Sequence, residues 1–267
     1  MHYFIFSLIG VITGFFMALF GIGGGAFIVP ALDAAFLTVP HFIHPPFQLI
    51  VIGSLCTIII GALPRAIKVL RRSKSERNTA NTLILSALLF IFPASVVATE
   101  LSDTALRLGF SITIALVGLW TLLGKSPASK VLQHPIKPNL IKLITVGAIS
   151  GISSVLFGLG GATLLMPLLT MWVGLPIAAC VNISILFVLA TSIVSLTTLS
   201  FAWIGIHGVD SIDSAMIILI LILGISAAFT QTIAAGKLLK MKDSLRQKLL
   251  GCYLIILSVW VIARLMQ

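Results

Sequence analysis

The sequence predicts an all-α polytopic membrane protein built of two inverted structural repeats with glycine-broken helical hairpins. Three observations predict it: an extreme apolar composition, a duplicated glycine motif, and basic residues gathered into a few loops. Hydrophobic residues fill 59% of the 267 positions and charged residues only 9%. Water-soluble domains are about 25% charged and about 45–50% apolar, so lipid must be the solvent here. Apolar stretches of roughly 20 residues, the length that crosses a bilayer core, recur between Phe4 and Leu265. They are continuous, unlike the alternating ten-residue strands of a membrane barrel. Met1-His2-Tyr3 lacks the basic start of a signal peptide, which makes Phe4 onward a retained helix.

The repeat is legible residue by residue. Gly10-Val-Ile-Thr-Gly14 leads to Phe20-Gly21-Ile-Gly23-Gly24-Gly25 and on to Pro30. Gly147-Ala-Ile-Ser-Gly151 leads to Phe157-Gly158-Leu-Gly160-Gly161-Ala162 and on to Pro167. Every glycine of the first run meets a glycine of the second at one constant offset, except Gly25, which becomes Ala162. Pro46 precedes Ser54 as Pro176 precedes Ser184, and Asp103 and Trp120 find echoes in Asp243 and Trp260. The chain therefore divides into an N-terminal transmembrane repeat (1–124), a cytoplasmic linker (125–139) and a C-terminal transmembrane repeat (140–267).

Five helices are expected in each half. In the first they run about Phe4–Phe20, Ala26–Val39, Phe47–Leu70, Thr82–Thr99 and Ala105–Leu123. In the second they run about Leu140–Phe157, Thr163–Val173, Ile177–Ile206, Ser214–Ala235 and Gln247–Met266. The second member of each set is too short to cross comfortably, so each half opens with a hairpin that returns to its own side. Of the 17 basic residues, all but Arg107 and Arg264 then fall on one side. The positive-inside rule makes that side cytoplasmic, leaves both termini outside, and gives the two halves opposite orientation. The expected location is a cell (inner) membrane.

Inverted repeats with interrupted hairpins place a binding site near the midplane and permit alternating access. Gly21, Gly23, Gly24, Gly25, Gly158, Gly160 and Gly161 are the candidate cradle. Clustered glycine lets a ligand approach the backbone, and a helix starting just beyond aims its free amides at an anion. The competing reading is close helix packing, the common use of small residues in membranes. Ser54, Thr57, Asn182 and Ser184, on the third helix of each half, could donate to anion oxygens or simply bond between helices. Asp33 is the one carboxylate inside an apolar segment, which makes it the candidate for coupling to a proton or another ion. Thr170 stands at its equivalent position.

Other functions are excluded on the same residues. The net charge of +10 belongs to loops facing anionic lipid; Arg71-Arg72-Ser73-Lys74 has no aromatic interleaving, so nucleic acid is not a partner. Gly21–Gly25 lacks the flanking strand and distal acid of a nucleotide fingerprint, and no phosphate-binding loop with lysine exists. Cys56, Cys180 and Cys252 have no metal or redox spacing, and His41 and His44 sit in a loop, so no metal or cofactor is expected. No nucleophile has a histidine or acid placed to activate it, which argues against an enzyme. The expected activity is secondary transport of a small anion; a passive anion channel or a non-transporting assembly factor is the alternative.

The Gly-x-Gly-Gly-Gly turn closed by Pro30, its echo before Pro167, and the downstream serine of each half resemble the sulfite exporter TauE/SafE family of membrane permeases. The resemblance covers nearly the whole chain, including the basic stretch after the third helix. It implies a cargo of sulfite, an organosulfur compound or another oxyanion. Ala162 departs from the family glycine, which implies a tighter or less exposed second turn.

Overall fold

This computed structural model describes residues 2–20, 24–36, 45–70, 74–124, 139–208, 214–238 and 243–265. Among them the first half comprises α1 (His2–Phe20), α2 (Gly25–Phe36), α3 (Phe47–Leu70), α4 (Lys74–Glu100) and α5 (Asp103–Leu123). The second half comprises α6 (Leu140–Phe157), α7 (Ala162–Pro167), α8 (Ile177–His207), α9 (Ser214–Leu238) and α10 (Asp243–Leu265). No strand occurs among the described residues. Among the described residues seven helices are long and apolar enough to cross a membrane, and the all-α polytopic class holds. Past Pro167, α7 continues as a π-helical stretch, Leu168–Val173. Proline withholds an amide from the helix ladder, and a π-turn is one way the backbone accommodates the loss.

The expected helix positions hold closely, with one clear difference. α4 begins at Lys74 rather than near Thr82. Its first two turns carry lysine, glutamate, arginine and asparagine, so the apolar pattern that marks a span starts later than the helix itself. α2 has only 12 residues, and the α7 segment Ala162–Val173 is similarly short.

Both short helices fold back on the helix before them. Phe6 packs on Phe36 and Phe16 stacks on Phe27, which sets α1 and α2 antiparallel. Ser150 lies against Gly161, while the Lys142 ammonium donates to the Trp172 carbonyl at 3.1 Å, which sets α6 and α7 the same way. Tyr253 of α10 stacks on Phe16 and Phe27 and braces the first hairpin.

The packing maps onto itself when the halves are exchanged. α1 lies on α9 and α6 on α4; α3 lies on α9 and α8 on α4; α3 meets α8 and α5 meets α10. Gly10 and Gly14 sit against Leu223 and Ala227, while Gly147 and Gly151 sit against Leu83 and Ala87. These four glycines are seam residues, letting helix backbones approach closely. α5 and α10 run antiparallel: Ser258 donates to Ser111 O at one end of their contact, and Gln247 to Thr121 O and Gly124 O at the other. α3 and α8 are the most enclosed spans, at the centre of the bundle.

Candidate functional site

Each short helix starts from a glycine in the left-handed region. Gly24 has φ +76°, and Gly158, Gly160 and Gly161 have φ +66°, +63° and +75°. Side chains other than glycine's pay a steric cost there, which is why the motif is so poor in other residues. Gly21 and Gly23 lie outside the described residues.

The two turns meet. A methyl group added to Gly25 would stand 2.5 Å from Gly158 O and 2.5 Å from Leu159 Cα. Val29 of α2 and Val51 of α3 also lie against Gly158, so the first half-helix begins on the backbone of the second turn. The methyl group of Ala162, at the position equivalent to Gly25, is fully buried. Gly160 faces Ile58 of α3 and Val188 and Ser192 of α8, and Gly161 lies against Phe187 and the Ser150 carbonyl.

Hydroxyls hold the carbonyls of the second turn. Ser54 Oγ donates to Gly158 O at 2.8 Å, and Thr191 Oγ1 reaches Gly160 O at 3.3 Å. The Gly161 carbonyl accepts from Leu165 N at 3.0 Å. No acceptor among the described residues meets the amides of Gly160, Gly161, Ala162 and Thr163. On the first half-helix, Phe27 and Ile28 amides bond to Gly24 O at 2.9 Å, and the Gly25 and Ala26 amides meet no described acceptor. Unpaired amides at a helix start attract negative charge. The centre therefore offers several unpaired amides, while the Gly158, Gly160 and Gly161 carbonyls are engaged.

The predicted side chains divide into those the fold gathers and those it does not. Ser54 is in the centre, but its hydroxyl is turned to the Gly158 carbonyl. Thr57, three residues on, donates to Gly53 O within α3 at 3.0 Å. Ser184 is fully buried with no partner among the described residues. Asn182 is half-buried, and its amide donates to Glu76 of α4 at 3.1 Å, away from the glycines.

Asp33 stands eight residues beyond Gly25 on α2, about 12 Å along the axis at 1.5 Å per residue. It is buried, and the sequence reading missed its partners. Arg107 of α5 meets Oδ1 at 2.8 Å and Arg264 of α10 meets Oδ2. Arg107 also binds Asp103 Oδ2 at 2.6 Å, and the Phe47 amide donates to Asp103 Oδ1 at 2.5 Å. Phe47 and Trp260 lie under the two guanidiniums, each 5.4 Å away. These arginines are the two basic residues left outside the loops, and an ion at membrane depth requires a partner. That was the signal that could have found them. An apolar cleft between α3 and α9, lined by Leu49, Ile52, Cys56, Met216, Ile217 and Ile220, presents no polar surface.

The chain is similar to known membrane transporter proteins. The sequence profile described as Sulfite exporter TauE/SafE matches residues 6–262. Two proteins named "Probable membrane transporter protein", from Xylella fastidiosa strains Temecula1 and 9a5c, are each 26% identical over 258 residues. The match covers 96% of this chain and 93% of each of theirs. No solved structure matches significantly.

Proposed function

The chain belongs to the sulfite exporter TauE/SafE family of membrane transporters, and we propose that within it the protein is a secondary permease for a small oxyanion. Sulfite or an organosulfur anion is the cargo, moved by alternating access without nucleotide hydrolysis. One observation carries the reading: Gly25 of the first half-helix abuts the Gly158–Leu159 backbone of the second turn. Two sets of free amides from two halves are thereby brought to one buried place, a donor-rich setting suited to an anion.

The domain division at 1–124 and 140–267 and the opposite orientation of the halves belong to the same reading. The exchange-symmetric packing and the antiparallel crossing of α5 and α10 support both. With basic loops on the cytoplasmic side of the inner membrane, the Asp33 cluster lies at the outer end. A coupling role for Asp33 would require its two ion pairs to exchange during the cycle.

Flux of sulfite into liposomes carrying the purified protein tests the proposal. The expected result is saturable uptake that needs no nucleotide and responds to an imposed proton or ion gradient. Movement of cations alone would overturn it. Unsaturable, uncoupled flux would make the protein a channel, and absence of flux would favour an assembly role.

A further inference from the structure

Hydroxyls in these helices follow one habit. Thr57, Ser86, Ser95, Ser111, Thr121 and Ser153 each donate to a carbonyl three or four residues back. Thr13, Ser150, Thr163, Ser184 and Ser192 break it: each is buried and has no hydrogen-bond partner among the described residues. A buried hydroxyl left unpaired is a standing cost to the fold, and native proteins leave few without a reason.

Three of the five, Thr13, Ser150 and Ser192, share a pattern. Ser192 Oγ lies 3.1 Å from where a Cβ would stand on Gly160, and the Ser150 carbonyl lies 2.7 Å from the corresponding point on Gly161. Both residues therefore border the second glycine turn, from α8 and α6. Thr13 holds in α1 the place that Ser150 holds in α6, each directly before the second glycine of its seam. Met17, one turn further along α1, packs on Gly24. Thr13 thus lies one turn of α1 from a residue that touches the first glycine turn, at the sequence position equivalent to Ser150.

We propose that Ser150 and Ser192, with Thr13 as the counterpart in the first half, are oxyanion-binding residues. Their hydroxyls find no acceptor in the protein because the transported anion supplies it. The inference rests on the oxyanion-permease reading above and extends it by naming side-chain ligands. Local balance selects an anion over a cation. The carbonyls that a cation would seek, those of Gly158 and Gly160, are already covered by Ser54 and Thr191. Both carboxylate oxygens of Asp33 face arginines. Around the second turn what is left unpaired is hydroxyls and amides that can donate; the unpaired amide oxygen of Gln231 lies apart from that turn, near Gly61 and Met17.

The test measures sulfite binding by calorimetry and ligand-free thermal stability, both on the purified full-length protein. Ser150→Ala, Ser192→Ala and Thr13→Val are compared with Ser95→Ala, whose hydroxyl is bonded within α4. Each of the first three is expected to weaken sulfite binding about 3- to 10-fold, the loss of one hydrogen bond. Their melting temperatures should hold or rise, because an unpaired buried group has been removed. Ser95→Ala should leave the affinity alone. Unchanged affinity in all three variants, with binding lost in Gly25→Ala, would overturn this inference and leave the oxyanion reading standing. Affinity and melting temperature falling together would assign the hydroxyls to packing and overturn it as well. A wild-type protein that binds no sulfite, sulfate or thiosulfate would overturn both.

Discussion

Gly25 and Ala162 occupy the same position in the two halves, yet only one has room for a methyl group. A Cβ on Gly25 would strike Gly158 O, whereas Ala162 is accommodated on the other side of the contact. The close approach to the Gly158–Leu159 backbone thus requires glycine at position 25, while position 162 buries a methyl group. Ser54 belongs to the same contact. Its hydroxyl donates to the Gly158 carbonyl, so in the proposed site any influence of Ser54 on an anion passes through the backbone. Ser54→Ala should destabilise the protein by about 1–3 kcal/mol, because a buried carbonyl loses its partner. Chemical or thermal unfolding in detergent measures this, with sulfite affinity falling alongside. A variant as stable as the wild type would show that water or another donor replaces the serine.

α2 illustrates how a helix too short to span is held at both ends. Its start rests on the second turn through Gly25, and its far part is tied to α5 and α10 through Asp33. At the equivalent positions of the second half the residues are uncharged: Thr170, Gln247 and Gly124 stand where Asp33, Arg107 and Arg264 do, and Gln247 donates to Gly124 O at 3.0 Å. Around Asp33 the contacts are ion pairs, whereas at these three equivalent positions they are neutral hydrogen bonds. Removing one member of a buried ion pair leaves a charge unbalanced, at about 3–5 kcal/mol. Asp33→Asn should therefore cost more than Arg264→Gln, since it strips two arginines of their shared partner. A double-mutant cycle on Asp33 and Arg264 should return a coupling of about 1–3 kcal/mol. Strict additivity would show that the pair contributes nothing to holding α2.

Across the whole molecule, chain directions and charge tell one story. α4 lies parallel to α6, through Leu83 with Gly147 and Ala87 with Gly151, and α1 lies parallel to α9 through Gly10 and Gly14. On the proposed inverted-repeat topology, with the basic loops cytoplasmic, the exposed Asn78 falls at the cytoplasmic face and the exposed Ser102 and His207 at the outer face. Single cysteines at these positions in a cysteine-free background should react with an impermeant thiol reagent accordingly. Asn78→Cys should label only from the cytoplasm, and Ser102→Cys and His207→Cys only from outside. Labelling of Asn78→Cys and His207→Cys from the same side would end the inverted-repeat reading.

Fold class, helix positions and the duplicated motif were all legible in the sequence, for a reason particular to lipid. A bilayer offers backbone groups no hydrogen-bond partners, so a long apolar run has little choice but to be a helix. The exceptions were local: α4 starts early because its first turns are polar, and α7 turns π-helical past Pro167. The glycines were visible too, but not their separate uses. Gly10, Gly14, Gly147 and Gly151 are helix seams, Gly24, Gly158, Gly160 and Gly161 make left-handed turns, and Gly25 makes the close approach. Only tertiary packing distinguishes these. The same holds for partners: Asp33 and Arg264 lie 231 residues apart in the chain, and Ser54 meets a carbonyl of the other half. Composition and spacing say which polar groups lie at membrane depth, since each is costly there. Which group answers which depends on distances of a few ångströms between helices, and those are set by how the side chains pack.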